Sequence, residues 1–178
     1  MPLYYGVLLL LALGWLGCAR SASESARSEN RAQAASIEVL PVTAEGILAE
    51  VRKPEAAVTL VNLWATWCQP CVEEFPDLVR LARAYRERGL RVMFVSVDFD
   101  SELEAVRRFL AEQGVDFPTY IKAQDDDNAF INALNPDWSG AIPATLVFDR
   151  QGRLRHFHEG KADYATFERM VQEVLSNP

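Results

Sequence analysis

Cysteine is scarce in this chain of 178 residues: there are three, alongside only two histidines. Three cysteines cannot staple a small secreted scaffold, which depends on an even set closing several loops. A structural zinc site takes four ligands, usually a second cysteine pair or two histidines. The one local pair here has no second pair, and His156 and His158 stand two apart on one extended segment. Basic clusters are also missing and the net charge is −7, which excludes a nucleic-acid surface. Residues 3–17 (LYYGVLLLLALGWLG) are uncharged, yet fall short of the roughly 20 apolar residues that span a membrane. No internal repeat is visible. What is present in quantity is apolar surface, 49% of residues, enough for one core.

The short apolar stretch fits the central region of a secretory signal. Cys18 follows it directly after Leu16-Gly17, and this arrangement resembles a bacterial lipoprotein signal, whose cysteine is acylated after cleavage. An uncleaved N-terminal anchor with an incidental Cys18 is the alternative. Arg20, Arg27 and Arg31 come after the apolar run rather than before it. Residues 19–36 are small and polar and cannot bury enough surface to fold, so they are expected to be a tether. The expected organisation is a signal or anchor at 1–18, a tether at 19–36 and one folded domain at 37–178. That places the domain on the periplasmic side of a bacterial membrane or in the cell envelope.

Within the domain the elements alternate. Ile37–Leu40 is a short extended piece, and Thr43 is expected to cap a helix through Val51. Val58–Trp64 (VTLVNLW) has the β-branched density of a buried strand. Val72, Phe75, Leu78, Leu81 and Tyr85 hold helical spacing until Gly89, with Pro76 expected to kink the helix. Arg91–Asp98 reads as a second strand. A capping box of Ser101 and Glu104 is expected to open a helix that places Leu103, Val106 and Leu110 on one face. Phe117–Ile121 is a weaker extended piece and Asp125–Leu134 a short helix. Thr145–Asp149 and Leu154–His158 form a hairpin, and a last helix runs from about Asp163 to Leu175. The sum is an α/β fold with a mixed sheet flanked by helices.

Two of the three cysteines lie in Trp64-Ala-Thr-Trp67-Cys68-Gln69-Pro70-Cys71, where the Val58 strand turns into a helix. The thiolate is the reactive form of cysteine, and an ordinary thiol with a pKa of roughly 8.5 is mostly protonated at neutral pH. The first turn of a helix offers unpaired N–H groups and the positive end of the dipole, both of which favour S⁻ at Cys68. Cys71, one turn on, lies on the same side and can close a small disulfide. Cys68 is expected to be the exposed attacking thiol and Cys71 the buried resolving one. Pro70 suits an early helical position, where its missing N–H leaves nothing unpaired.

These residues, with Leu60-Val-Asn-Leu63 before them and Glu74-Phe-Pro76 after, resemble the membrane-anchored thioredoxin-like proteins of the TlpA/ResA type. The resemblance runs from about Ser36 to the C-terminus. Gly140-Ala-Ile-Pro143-Ala-Thr is similar to the family's cis-proline loop, and Gly160 to the glycine after its hairpin. The resemblance implies a thioredoxin-like fold and a thiol–disulfide oxidoreductase. Its couple is Cys68–Cys71, with no cofactor beyond that disulfide and no metal. It further implies a cis Pro143 beside the cysteines, with Ile142 offering its backbone to an extended substrate and Trp67 flanking the site. Gln69 and Pro70 tune the potential, and Asn62 stands where thioredoxins keep a buried aspartate. By spacing alone Glu74 is as well read as a solvated glutamate like Glu73; the resemblance makes it the group that handles protons. Implied partners are a protein disulfide substrate and a membrane thiol electron donor, and a monomer is expected.

Two other readings start from the same cysteines. A thioredoxin-fold copper carrier would use Cys68, Cys71 and a histidine, although such carriers favour a C-x-x-x-C spacing. A thiol peroxidase would need a Pro-x-x-x-Thr-x-x-Cys setting that the chain lacks. His156 and His158 are otherwise expected to decorate an exposed strand. Trp138 is placed either beside a substrate groove or in the core, and Asp125-Asp-Asp127 is an acidic helix start rather than a calcium loop.

Overall fold

The computed structural model describes residues 37–123 and 126–177. Cys18, the expected signal and the tether lie outside the described residues, as does Asp125.

Six strands form one sheet: β1 (Val39–Val42), β2 (Val58–Trp64), β3 (Leu90–Ser96), β4 (Thr119–Lys122), β5 (Ala144–Asp149) and β6 (Leu154–Glu159). Their spatial order is β1-β4-β3-β2-β5-β6. The first four run parallel to one another, while β5 and β6 are antiparallel to their neighbours. The chain therefore has the mixed sheet that alternating strands and helices followed by a hairpin require. β2 lies between β3 and β5 and is buried along its whole length. A strand covered on both faces needs the near-continuous apolar run that VTLVNLW supplies.

Helices cover both faces. Helix α1 (Ala44–Val51) and helix α4 (Asp127–Leu134) pack on one face with Val61, Leu63, Leu146 and Phe148. The other face carries α2 (Gln69–Tyr85), α3 (Leu103–Glu112) and α5 (Tyr164–Ser176), packed on Leu60, Trp64, Phe94 and Val147. Phe75 of α2 is fully buried and stacks on Phe94 at 4.2 Å between ring centroids, with Trp64 at 4.8 Å and Phe109 at 4.9 Å. This aromatic knot fixes the start of α2 against the end of β2, where both cysteines sit.

Most caps follow the sequence. Thr43 accepts the Gly46 N–H, and Asp163 accepts the Thr166 N–H at the start of α5. Gly89 ends the turn after α2 with φ +90°, and a Cβ there would lie 2.9 Å from the Ala57 Cβ. The Ser101–Glu104 capping box does not form. Residues 100–102 make a separate 3₁₀ turn, Glu102 reaches back to the Phe99 N–H at 3.2 Å, and Glu104 pairs with Arg107 at 2.8 Å. The turn moves the capping pair two residues towards the N-terminus, from Ser101 and Glu104 to Phe99 and Glu102, because the chain leaves β3 through a tight loop that periodicity does not show. No helix among the described residues is long and apolar enough to cross a membrane.

Candidate active site

Cys68 is the N-cap residue of α2, in extended backbone, and its Sγ accepts the Cys71 N–H at 3.3 Å. Pro70 occupies the first helical turn. The two cysteines are joined as a disulfide with Cα atoms 5.3 Å apart. Cys68 is 5% exposed and Cys71 1%, so both are buried in the disulfide form and the exposed Cys68 that the sequence suggests is not seen, because the cis-proline loop lies over it. The Cys71 N–H aimed at the Cys68 sulfur and the helix start around it are groups that favour a thiolate at that position.

Ile142–Pro143 is a cis peptide, and the Ile142 carbonyl oxygen lies 3.7 Å from Cys68 Sγ. The loop thus brings the Ile142 backbone alongside the Cys68 sulfur. Trp67 is 63% exposed, and with Ile142 and Trp138 it lines a groove of about 500 Å³. Trp138 meets both of its readings: it is buried against Phe130, donates its indole N–H to Ala141 O at 2.7 Å, and still forms part of the groove wall. Phe99, 66% exposed, lines the same groove. The sequence reading passed over it, since a lone phenylalanine in a loop gives no periodic signal.

Behind the cysteines is a carboxyl. Glu74 is buried, 2% exposed, three residues after Cys71 on the same buried side of α2. Asn62 donates its amide to Glu74 Oε1 at 3.1 Å and also to Thr145 Oγ1 at 3.1 Å. The Ala162 N–H donates to Glu74 Oε2 at 2.9 Å. Burial pushes the Glu74 carboxyl up to about 7, against the opposing pull of the Ala162 N–H, the Asn62 amide and the Lys161 charge. Glu73, its sequence neighbour, is exposed and pairs with Lys161 at 2.5 Å, which holds its carboxyl below the usual range. The two glutamates that spacing alone left equivalent are therefore separated by burial. Gln69, on the exposed side of the first turn, donates to Glu73 at 3.1 Å.

A second buried carboxylate braces the loop before Cys68. Asp98 is fully buried and accepts the Thr66 N–H, the Thr66 hydroxyl at 2.6 Å and the Ser96 hydroxyl at 2.6 Å. It ties the end of β3 to Thr66, two residues before Cys68. The sequence reading placed Asp98 at a strand end and gave it no role. Its partner Thr66 is 32 residues away, and only the parallel register of β2 and β3 makes them neighbours.

The histidines depart from the exposed decoration that was expected. His156 and His158 are half-buried on the face covered by α5; His156 faces Glu173 at 3.2 Å, and the His158 Nε2 is buried with no partner among the described residues. An outer strand exposes side chains only on a face that no helix covers, and α5 covers this one. Among the described residues no group of three or more His, Cys, Asp or Glu side chains is arranged to hold a metal ion.

The Redoxin family model matches residues 28–173. Among curated proteins, the thiol-disulfide oxidoreductase ResA of Geobacillus kaustophilus is 30% identical over 64% of this chain and 61% of its own length. The thiol:disulfide interchange protein HelX of Rhodobacter capsulatus is 30% identical over 68% of this chain and 63% of its own. The chain thus spans about six-tenths of the length of these relatives. Among solved structures, a thiol:disulfide interchange protein of the thioredoxin family from Chlorobium tepidum superimposes with a TM-score of 0.60. It shares 27% identity, over 78% of this chain and 97% of that one. With a thioredoxin-like fold, a Cys68–Cys71 pair at disulfide distance and a match over most of its length, the chain belongs to the Redoxin family.

Proposed function

We propose that the protein is a thiol–disulfide oxidoreductase that reduces protein disulfides through the Cys68–Cys71 couple. The observation that carries this is the Cys68–Cys71 disulfide at a helix start, with a free Ile142 backbone edge on one side and the buried Glu74 carboxyl on the other. In the reduced protein the Cys68 thiolate attacks a substrate sulfur, forms a mixed disulfide and releases the first substrate thiolate. Glu74 takes the Cys71 proton, and the Cys71 thiolate attacks Cys68, reforming the protein disulfide and releasing the second thiolate. Both substrate thiolates take protons from solvent, so two electrons and two protons cross in total. A carboxyl near 7 is matched to this work at neutral pH, since it exchanges its proton in either direction.

The substrate segment lies extended along Ile142–Pro143, with side chains on the groove that Trp67 and Phe99 flank. The proposal extends to placement outside the cytoplasm, held by the N-terminal stretch through lipid at Cys18 or as an uncleaved anchor, with a membrane thiol protein as electron donor. The uncharged residues 3–17 and the following Cys18 support that part.

The deciding experiment is the reduction potential of the Cys68–Cys71 pair, measured by equilibration with a thiol buffer. A value near roughly −270 mV supports the reductase reading; one near roughly −120 mV makes the protein a disulfide donor and overturns it.

A further inference from the structure

Glu74 and Cys71 are almost wholly buried, and a substrate docked over Cys68 and Ile142 covers the face where the disulfide meets solvent. A proton taken by Glu74 while substrate is bound therefore needs another way out. Three adjacent strands supply polar groups in one row. Asn62 of β2 is opposite Thr145 of β5, and Thr145 is opposite His158 of β6, so all three side chains share the face that carries Glu74. Asn62 connects Glu74 Oε1 to Thr145 Oγ1 through its two amide hydrogens. At the ends of this row, Asn62 Oδ1 and His158 Nε2 are buried and neither has a hydrogen-bond partner among the described residues. These atoms belong to residues on the two strands that flank Thr145, and unpaired buried polar groups are where a polar interior takes up water.

The row ends at a cavity. His158, Lys161, Ala162, Asp163 and Thr166 line an open hollow of about 400 Å³ between β6 and the start of α5. Ala162 is the residue whose N–H holds Glu74 Oε2, so one wall of the hollow is a direct contact of the buried carboxyl. Trp67, Phe99 and the groove belong to a different set of residues, and none is shared.

We propose that this hollow is a proton port, separate from the substrate groove, and that His158 is the group passing protons between solvent and Glu74 through water beside Thr145. The inference rests on the exchange chemistry proposed above but not on its direction, since the port serves protons entering or leaving. In each turnover the Cys71 proton moves to Glu74, then by way of water and the His158 imidazole to bulk solvent. Asn62, whose amide does not titrate, relays no proton and positions Glu74. The charged groups that bear on this path are Glu73 and Asp77 on α2, and Lys161 and Asp163 on the loop before α5. His156 is engaged with Glu173 and does not take part.

The test uses the full chain with Cys68 loaded as a mixed disulfide with a cysteine-containing peptide long enough to cover Ile142 and the groove, following its resolution by Cys71 from pH 5.5 to 8.5. His158→Phe, which fills the port, is expected to slow resolution about tenfold and flatten its pH profile. His158→Ala is expected to be slow in a non-carrying buffer and to regain its rate with added imidazole. Glu74→Gln is expected to be slow and to gain nothing from imidazole. Thermal melts establish that each variant is folded. If His158→Phe keeps the wild-type rate and profile, or His158→Ala gains nothing from imidazole, the port is overturned while the exchange reading stands. If the wild-type chain itself does not resolve the mixed disulfide, the exchange reading fails and the port with it.

Discussion

Replacing Glu74 with glutamine tests the electrostatic design of the site through stability alone. The carboxyl is pushed from an ordinary value near 4.5 to about 7 in the folded protein, chiefly by burial. Because the folded-state value is the higher one, the folded protein binds this proton more tightly than the unfolded chain. The stabilisation that follows is complete below about pH 4.5 and is lost as the pH rises through about 7. A shift of this size corresponds to about 3 kcal/mol, falling at most by about 1.4 kcal/mol per pH unit inside the window. Glutamine stays neutral throughout, but its NH₂ must face either the Asn62 amide or the Ala162 N–H, which costs about 1 kcal/mol at every pH. The variant is therefore expected to be about 1 kcal/mol less stable than wild type at pH 4.5 and about 2 kcal/mol more stable at pH 8. Urea unfolding of the oxidised proteins at several pH values measures the difference, and the other titrating groups cancel because both proteins carry them. A difference that stays flat between pH 4.5 and 8 would refute the reasoning.

Three further outcomes are expected. Cys71→Ser, with Cys68 intact, should trap a covalent mixed disulfide with substrate that mass spectrometry detects, and Cys68→Ser should trap none; the reverse pattern would exchange the assigned roles. Asp98→Ala leaves the Thr66 N–H and two hydroxyls without their buried acceptor and should cost about 3 kcal/mol in denaturant unfolding. A loss under about 1 kcal/mol would show that the loop is not braced there. Trp67→Ala should raise KM for a peptide disulfide while leaving turnover of a small disulfide unchanged, because the exposed indole contributes groove surface and no chemistry; equal losses on both would place it in the reaction itself.

The sequence alone carried the elements and the reactive pair. Strand β2, helix α2 and the C-x-x-C between them are local: β-branched density, helical spacing and a first-turn proline act within a dozen residues. The order of strands and helices sufficed for a mixed sheet, since alternating elements close in few ways. The capping box at Ser101 failed because Glu102 makes an equally local bond two residues earlier, and spacing cannot rank two such bonds.

What the tertiary structure decided lies across the sheet. Glu73 and Glu74 are adjacent and chemically identical; which of them is buried was decided when α2 turned one against Asn62 and left the other to Lys161. Asp98 gained its partner Thr66 from a register 32 residues away, and His158 owes its half-burial to packing on the face that α5 covers. The contacts of Glu74 come from Asn62, 12 residues before it, and from Ala162, 88 residues after it. Desolvation and hydrogen bonding by such distant groups set a carboxyl's proton affinity, and only packing brings those groups together.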